Sequence, residues 1–320
     1  MTGQPLPKGS EWTVADLTRY DTAIGHLAGE FGLKTFPNQL EIISAQQMMG
    51  AYASVGMPLG YYHWSFGKHF VNVEKQYRRG HMGLAYELVI NSNPCIAYLL
   101  EENSLPMQAL VIAHACYGHN SFFKGNYLFN MWTTPDAIID YLIFARNYIT
   151  RCEEKYGIDA VETLLDACHA LMNYGVDRYQ HPPKLSLQEE KIRQQNREYY
   201  LQTQVNELWR TIPDYTTTKR PKNHERFPTE PQENILYFLE KNAPLLKSWQ
   251  REVIRIVRKV AQYFYPQRHT KVMNEGWATF WHYTLINALY DEKLVTDEFM
   301  LEILQNHTAV IEQPGFDDPR

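Results

Sequence analysis

Three stretches of this 320-residue chain set imidazoles and carboxylates among apolar neighbours, where an unsatisfied polar group costs roughly 2–7 kcal/mol. The first, ALVIAHACYGHNSFF, carries His114 and His119. The second, VMNEGWATFWHYT, carries Glu275 and His282, and the third, LLDACHALMNYGVDRY, carries Asp166, His169, Asn173 and Asp177. Brought to one point, side chains of these types are ligands for a divalent metal ion. His114 and His119 stand five residues apart, about 140° around a regular helix, whereas two zinc-binding histidines on one helix normally stand four apart. They share a face if the helix takes in a one-residue π-bulge near Gly118, or if it ends at Gly118 and His119 turns inward. Glu275 and His282 are seven residues apart, on one face two turns from each other.

Two histidines and a glutamate on two helices form the ligand set of gluzincin-type zinc peptidases, where a glutamate beside the first histidine acts as general base. Here that neighbour is Ala115. Activation of water then needs another base, with Glu87 as the candidate and the Glu101-Glu102 pair behind it. The pattern therefore reads as one divalent ion, zinc first, held by His114, His119 and Glu275. His282 is a fourth ligand or a group behind the ligands, and a hydrolase of peptidase or amidase type follows if Glu87 serves as base.

Other polar residues have two readings each. Asp166 and His169, three apart, face one way and make either a buried hydrogen-bonded pair or, with Glu87 and Glu275, a di-metal carboxylate oxidase site. Cys116 is a soft third ligand or a small packing residue. Arg251, Arg255, Arg258 and Lys259 form a basic stripe that is either a solvated helix face or a phosphate or partner site. His63, in the aromatic segment YYHWSFGK, has no identifiable partner.

The elements that must carry these residues are mostly helices. Apolar periodicity predicts helices over 11–32, 38–54 (capped by Asn38), 67–79, 94–103, 105–123, 135–156, 158–175 and 186–211. Further helices are predicted over 232–241, 244–264 (stopped by Pro266), 271–290 and 296–311. YELVIN, residues 86–91, is the best strand. Residues 212–231, with four prolines and no period, read as a loop and the one internal boundary of an otherwise single domain spanning 1–320. The fold class is mainly α, a multi-helix domain with at most a small β element, zincin-like around the 105–123 and 271–290 helices.

Composition limits the function classes. With 44% hydrophobic residues the chain buries a substantial core, and 22 Tyr and 7 Trp give that core rings whose OH and NH groups need partners. A net charge of −5 offers no global attraction for nucleic acid. No stretch approaches the roughly 20 apolar residues of a membrane span, and the start MTGQPLPKGSEW has no leader pattern. Four single cysteines without a CxxC pair argue for reduced thiols and a cytoplasmic setting.

Long strings carry a resemblance: QLEIISAQQMMGAYASVGMP, YYHWSFGKHF, GLAYELVINSNPCIAYLLEEN, MQALVIAHACYGHNSFFKGNYLF, CHALMNYGVDRY, EPQENILYFLEKNAPLLKSWQREVIRIVRKVAQYFYPQ and MNEGWATFWHYT. Through them the chain, from about residue 11 to 312, resembles the SpoVR (stage V sporulation protein R) family and its YcgB-like branch. The resemblance implies a link to spore cortex formation or to stress physiology. It also implies partners in an operon-encoded serine kinase and a von Willebrand-type protein, without an agreed reaction. Family members usually continue further, so the resemblance implies a form lacking the usual C-terminal region. Beside the metalloprotein stands the alternative of a non-enzymatic regulator or scaffold acting with the partner kinase.

Overall fold

The computed structural model describes residues 6–54, 59–78, 87–179, 233–312 and 315, with isolated positions 188, 189, 192, 195, 196, 199 and 200. The predicted 186–211 helix, apart from those positions, and the 212–231 loop lie outside the described residues. The chain is mainly α, with one three-stranded sheet among the described residues.

Helix α1 (Val14–Glu30) starts at a capping box, in which the Thr13 side chain accepts from Asp16 N and the Asp16 carboxylate accepts from Thr13 N. Its stripe of Leu17, Tyr20, Ile24 and Leu27 is buried. Strand β1 (Asn38–Ile43) follows, then α2 (Ala45–Ala53), α3 (Trp64–Arg78), β2 (Glu87–Ile90) and β3 (Cys95–Leu100). The sheet order is β1-β3-β2, with β1 parallel to β3 from Asn38↔Cys95 to Ile43↔Leu100, and β2 antiparallel to β3 from Glu87↔Leu99 to Ile90↔Ile96.

Two predicted helices are thus strands in part. NQLEII was expected to open the 38–54 helix, but Ser44 is the cap, its side chain accepting from Gln47 N, and the helix starts at Ala45. CIAYLL was expected to be helical as well; it is the central strand, paired on both edges and buried at five of six positions. Short apolar runs fit either a buried helix or a buried strand, and here the partners on both sides decide.

Beyond the sheet, Ser104 caps α4 (Leu105–Ile112), which continues as a π-helical segment, Ala113–His119, and as α5 (Asn120–Gly125). Next come α6 (Tyr127–Trp132), α7 (Ile138–Tyr156), α8 (Ile158–Leu171), a short 3₁₀ turn at Met172–Tyr174, α9 (Ile235–Asn242), α10 (Ser248–Asp291) and α11 (Asp297–Ile311). Gly157, at φ 89°, joins α7 to α8 in a conformation that side-chain-bearing residues rarely adopt.

Helix α10 is one element of 44 residues, not the two expected on either side of Pro266. A proline removes one backbone bond and crowds the preceding turn, at about 3 kcal/mol. Burial on both sides of the proline offsets that. The first half of α10 packs Val253, Ile254, Ile256 and Val257 against α7, α8 and α9. The second half packs Leu285, Ile286 and Leu289 against α1, α4 and α11. At the middle, the Tyr263 hydroxyl donates to the Asn91 carbonyl at 3.0 Å. Among the described residues no helix is long and apolar enough to cross a membrane.

Candidate metal centre

Helix α10 and the π-helical segment are held unusually close, and that approach assembles the site. At Gly118 an added Cβ would lie 2.6 Å from the Ala278 Cα, so only glycine permits it. The wider π turn puts His114 and His119 on one face despite their five-residue spacing. Their rings meet edge to face at 4.7 Å between centroids.

Two carboxylates converge on those rings. Glu87, at the start of β2, places Oε1 3.3 Å from His114 Nε2 and 3.7 Å from His119 Nε2. Glu275, on α10, places Oε2 3.7 Å from both Nε2 atoms. The Glu87 side chain is 16% exposed and that of Glu275 53%, so one carboxylate forms the floor and the other the solvent side. Glu87, His114 and His119 each offer a ligand atom within 4.8 Å of the others. The second oxygen of Glu87 is buried with no hydrogen-bond partner.

The opposite edges of both imidazoles are tied down. His119 Nδ1 lies 2.9 Å from Asn274 Oδ1, an acceptor, so it carries the proton and Nε2 is left as a lone pair. His114 Nδ1 lies 2.8 Å from His282 Nδ1, and His282 Nε2 lies 2.8 Å from His307 Nδ1. Whichever way the protons run along this row, it holds the Nδ1 edge of His114 and turns Nε2 towards the two carboxylates. Such outer contacts fix tautomer and ring orientation in metal sites.

Protonation follows from the surroundings. Burial pushes the Glu87 carboxyl up to about 7 against a partial counter-effect from His114. Burial, with His114 alongside, takes His119 down to about 4, and burial with neighbouring histidines takes His282 down to about 3. Burial would also lower His114, but Glu87 and Glu275 outweigh it and hold His114 above its usual value. Glu275 is held below the ordinary carboxylate range, chiefly by His114.

Of the residues expected from sequence, Glu87, His114, His119 and Glu275 come together here. His282 does too, but behind His114, with both ring nitrogens already engaged. Asn274, which the sequence did not single out as part of the site, lies inside α10 and orients His119. His307 has no signal in the sequence: it sits in LQNHTAV on α11, and only the tertiary packing brings it to His282. Cys116 lies in the π segment, where burial raises its thiol well above the usual range, and it is not part of the ligand group. Glu101 and Glu102 are exposed in the turn after β3.

The third stretch forms its own cluster, in which Asp166 and His169 do not pair with each other but have separate partners. Asp166 accepts from Trp64 Nε1 at 2.9 Å and lies 3.1 Å from His63 Nε2, while His169 Nε2 meets the Tyr61 hydroxyl at 2.6 Å. Asp177 accepts from Asn234 Nδ2, and Asn173 accepts from Arg268 Nη1. The basic stripe is engaged within the protein. Arg255 and Arg258 grip the buried Glu240, Arg251 donates to the carbonyls of Glu240 and Ala243, and Lys259 lies over the Tyr141 ring.

A family model described as SpoVR like protein matches residues 11–318. A relative in Escherichia coli (strain K12), named "Uncharacterized protein YcgB", is 64% identical over 314 residues, covering 98% of this chain and 62% of the relative. The chain thus spans under two thirds of that relative's length. No solved structure matches.

Proposed function

Because the chain belongs to the SpoVR family, a membership that names no reaction, we propose from the site itself that it is a metalloprotein, with Glu87, His114 and His119 as ligands of one divalent ion. The single observation that carries this is the buried Glu87 carboxylate. One oxygen faces the Nε2 atoms of two imidazoles and the other has no partner, an arrangement that a cation satisfies and a protein interior otherwise avoids. Two nitrogens and one carboxylate suit zinc.

Such an ion, when bound, would polarise a substrate carbonyl or lower the pKa of water. The protein's own groups have separable tasks. Asn274 and His282 orient the imidazoles, with His307 holding His282. Glu275, exposed and ionised, is placed on the solvent side to take a proton from water or to close the ligand set. This exchanges the parts of the two glutamates read from sequence, and it supports a hydrolase of peptidase or amidase type with Glu275 in the position that Ala115 leaves vacant. The family resemblance supports a setting in spore cortex formation or stress physiology, beside a serine kinase and a von Willebrand-type protein.

A second reading is a regulator or scaffold with a structural cluster, acting through its partners. Val272, Met273 and Phe280, exposed on α10 near Glu275, favour it, since apolar surface of this kind marks interaction sites.

Elemental analysis of the purified chain beside the Glu87→Ala/His114→Ala variant tests the proposal. About one zinc per chain, lost in the double variant, is the expected result. No metal in either protein after growth and purification without chelators overturns it and leaves the scaffold reading. Glu275→Gln is expected to keep the metal.

A further inference from the structure

On the stretch of α10 that precedes Glu275, a cavity of about 220 Å³ opens between α7, the end of α8 and the middle of α10. Leu142, Met172, Val260 and Phe264 make its wall nearly all apolar. Its polar members are satisfied or neutral: His169 is held by the Tyr61 hydroxyl, and burial keeps its imidazole uncharged near neutrality. On one side the lining continues through Gly60, Tyr61 and Phe66 into a groove of about 440 Å³ that includes Phe70 and Tyr98.

The other side ends at Arg268. Its guanidinium is fixed by Asn173 at 2.6 Å, and among the described residues no carboxylate lies within ion-pair distance of it. Arg268 also lines a second hollow of about 470 Å³ with Arg178, His269 and Tyr265, with no acidic residue among its described lining, although the Glu233 carboxylate accepts from Arg178 N at 3.0 Å. An apolar slot therefore leads to a cationic mouth.

We propose that this slot is a binding site for an amphipathic anion, an unbranched or aromatic apolar body ending in a carboxylate or phosphate. The body lies along Leu142, Val260 and Phe264, and the headgroup meets Arg268 and Arg178. A neutral ligand would leave the mouth unused, and a cation would meet two guanidinium groups. Charge-assisted bonds to Arg268 supply orientation, while methylene burial supplies affinity. The site shares no residue with the metal cluster and does not depend on it.

Isothermal titration of the full chain with octanoate, decanoate, decyl phosphate and decanol is the test. Decanoate should bind about tenfold more tightly than octanoate, as two more buried methylenes require. Arg268→Gln, an exposed substitution that leaves the fold alone, should weaken decanoate about tenfold and leave decanol unchanged. Met172→Trp, which fills the slot, should abolish binding of all four. Preference for decyl phosphate over decanoate, or the reverse, assigns the headgroup within the proposal. No heat from either anion at about 1 mM, or decanoate binding indifferent to Arg268→Gln, overturns it, and the arginine result stands even if the tryptophan variant fails to fold.

Discussion

Gly118→Ala is the smallest change that should reach the metal centre without touching a ligand. The new methyl would lie 2.6 Å from the Ala278 Cα, 2.8 Å from its Cβ and 3.2 Å from its carbonyl oxygen, where carbon atoms prefer roughly 3.5–4.0 Å. The nearest obstacle is backbone, so no rotamer change relieves it and the π segment and α10 must part by about 1 Å. Overpacking of this kind costs about 1–3 kcal/mol, and the better helix propensity of alanine returns up to about 1 kcal/mol. The net loss, about 1–2 kcal/mol, lowers Tm by a few degrees. The site should suffer more, because Asn274 and Glu275 ride on α10 while His114 and His119 ride on the other wall. The displaced Asn274 no longer orients His119, and loss of such an outer contact should lower zinc affinity about tenfold or more. Thermal melts of the metal-free chain and a chelator-competition titration read the two effects separately. Gly118→Ala/Ala278→Gly removes the clash with the side-chain methyl of residue 278 but keeps the closer one with its backbone, so rescue should be partial. Unchanged Tm and zinc affinity in Gly118→Ala, or complete rescue by the second change, would refute this account of the helix packing.

Other perturbations isolate single layers. Asn274→Ala removes the acceptor of His119 Nδ1 and should weaken zinc about 10- to 100-fold in the same titration, with little change in the metal-free melt. Glu240→Gln should destabilise the chain by about 2 kcal/mol in urea, because Arg255 and Arg258 lose their shared carboxylate, discounted here for their partial exposure. His169 gives a pH effect: burial lowers it to about 4, below the unfolded value of about 6.5. Its stabilising share is therefore complete above about pH 6.5 and is lost as pH falls towards 4, since the unfolded chain takes up the proton first. Urea midpoints at pH 7 and 5 should fall further in the parent than in His169→Gln, by about 1–2 kcal/mol; equal slopes would remove His169 from that role.

Much of the helical frame was legible because caps and periodicity act locally. The α8 pattern needed no partner to be read. The sheet was not: Cys95–Leu100 is apolar throughout, and only pairing with β1 and β2 separates a buried strand from a buried helix. Pro266 misled for a related reason, since its local penalty is visible in sequence and the burial that overrides it is not. The same divide runs through the site. The spacing of His114 and His119 stated the geometric condition they had to meet, a π turn or a helix end at Gly118, and the structure has the π turn. Which glutamate is buried, and that Asn274, His282 and His307 hold the imidazoles from behind, depends on how α10 and α11 cross the π segment.

The cluster's internal energetics make the metal reading more than a matter of matching residue types. The Nε2 atoms of two imidazoles face carboxylate oxygens at 3.3–3.7 Å, and one buried oxygen of Glu87 lacks any donor. A protein interior that needed only stability would replace these groups with apolar ones at no loss, or at a gain of about 1–4 kcal/mol. The outer contacts point the same way. A structural histidine can present either nitrogen, yet here Asn274 and the His282–His307 row oblige both rings to turn Nε2 inward. Three further polar side chains thus orient two imidazoles towards one point, which is the expense expected of a ligand shell and not of a packing core. If His282→Ala left zinc affinity intact in the chelator titration while only lowering Tm, the row would be packing after all, and the orientation of the rings would no longer speak for a metal.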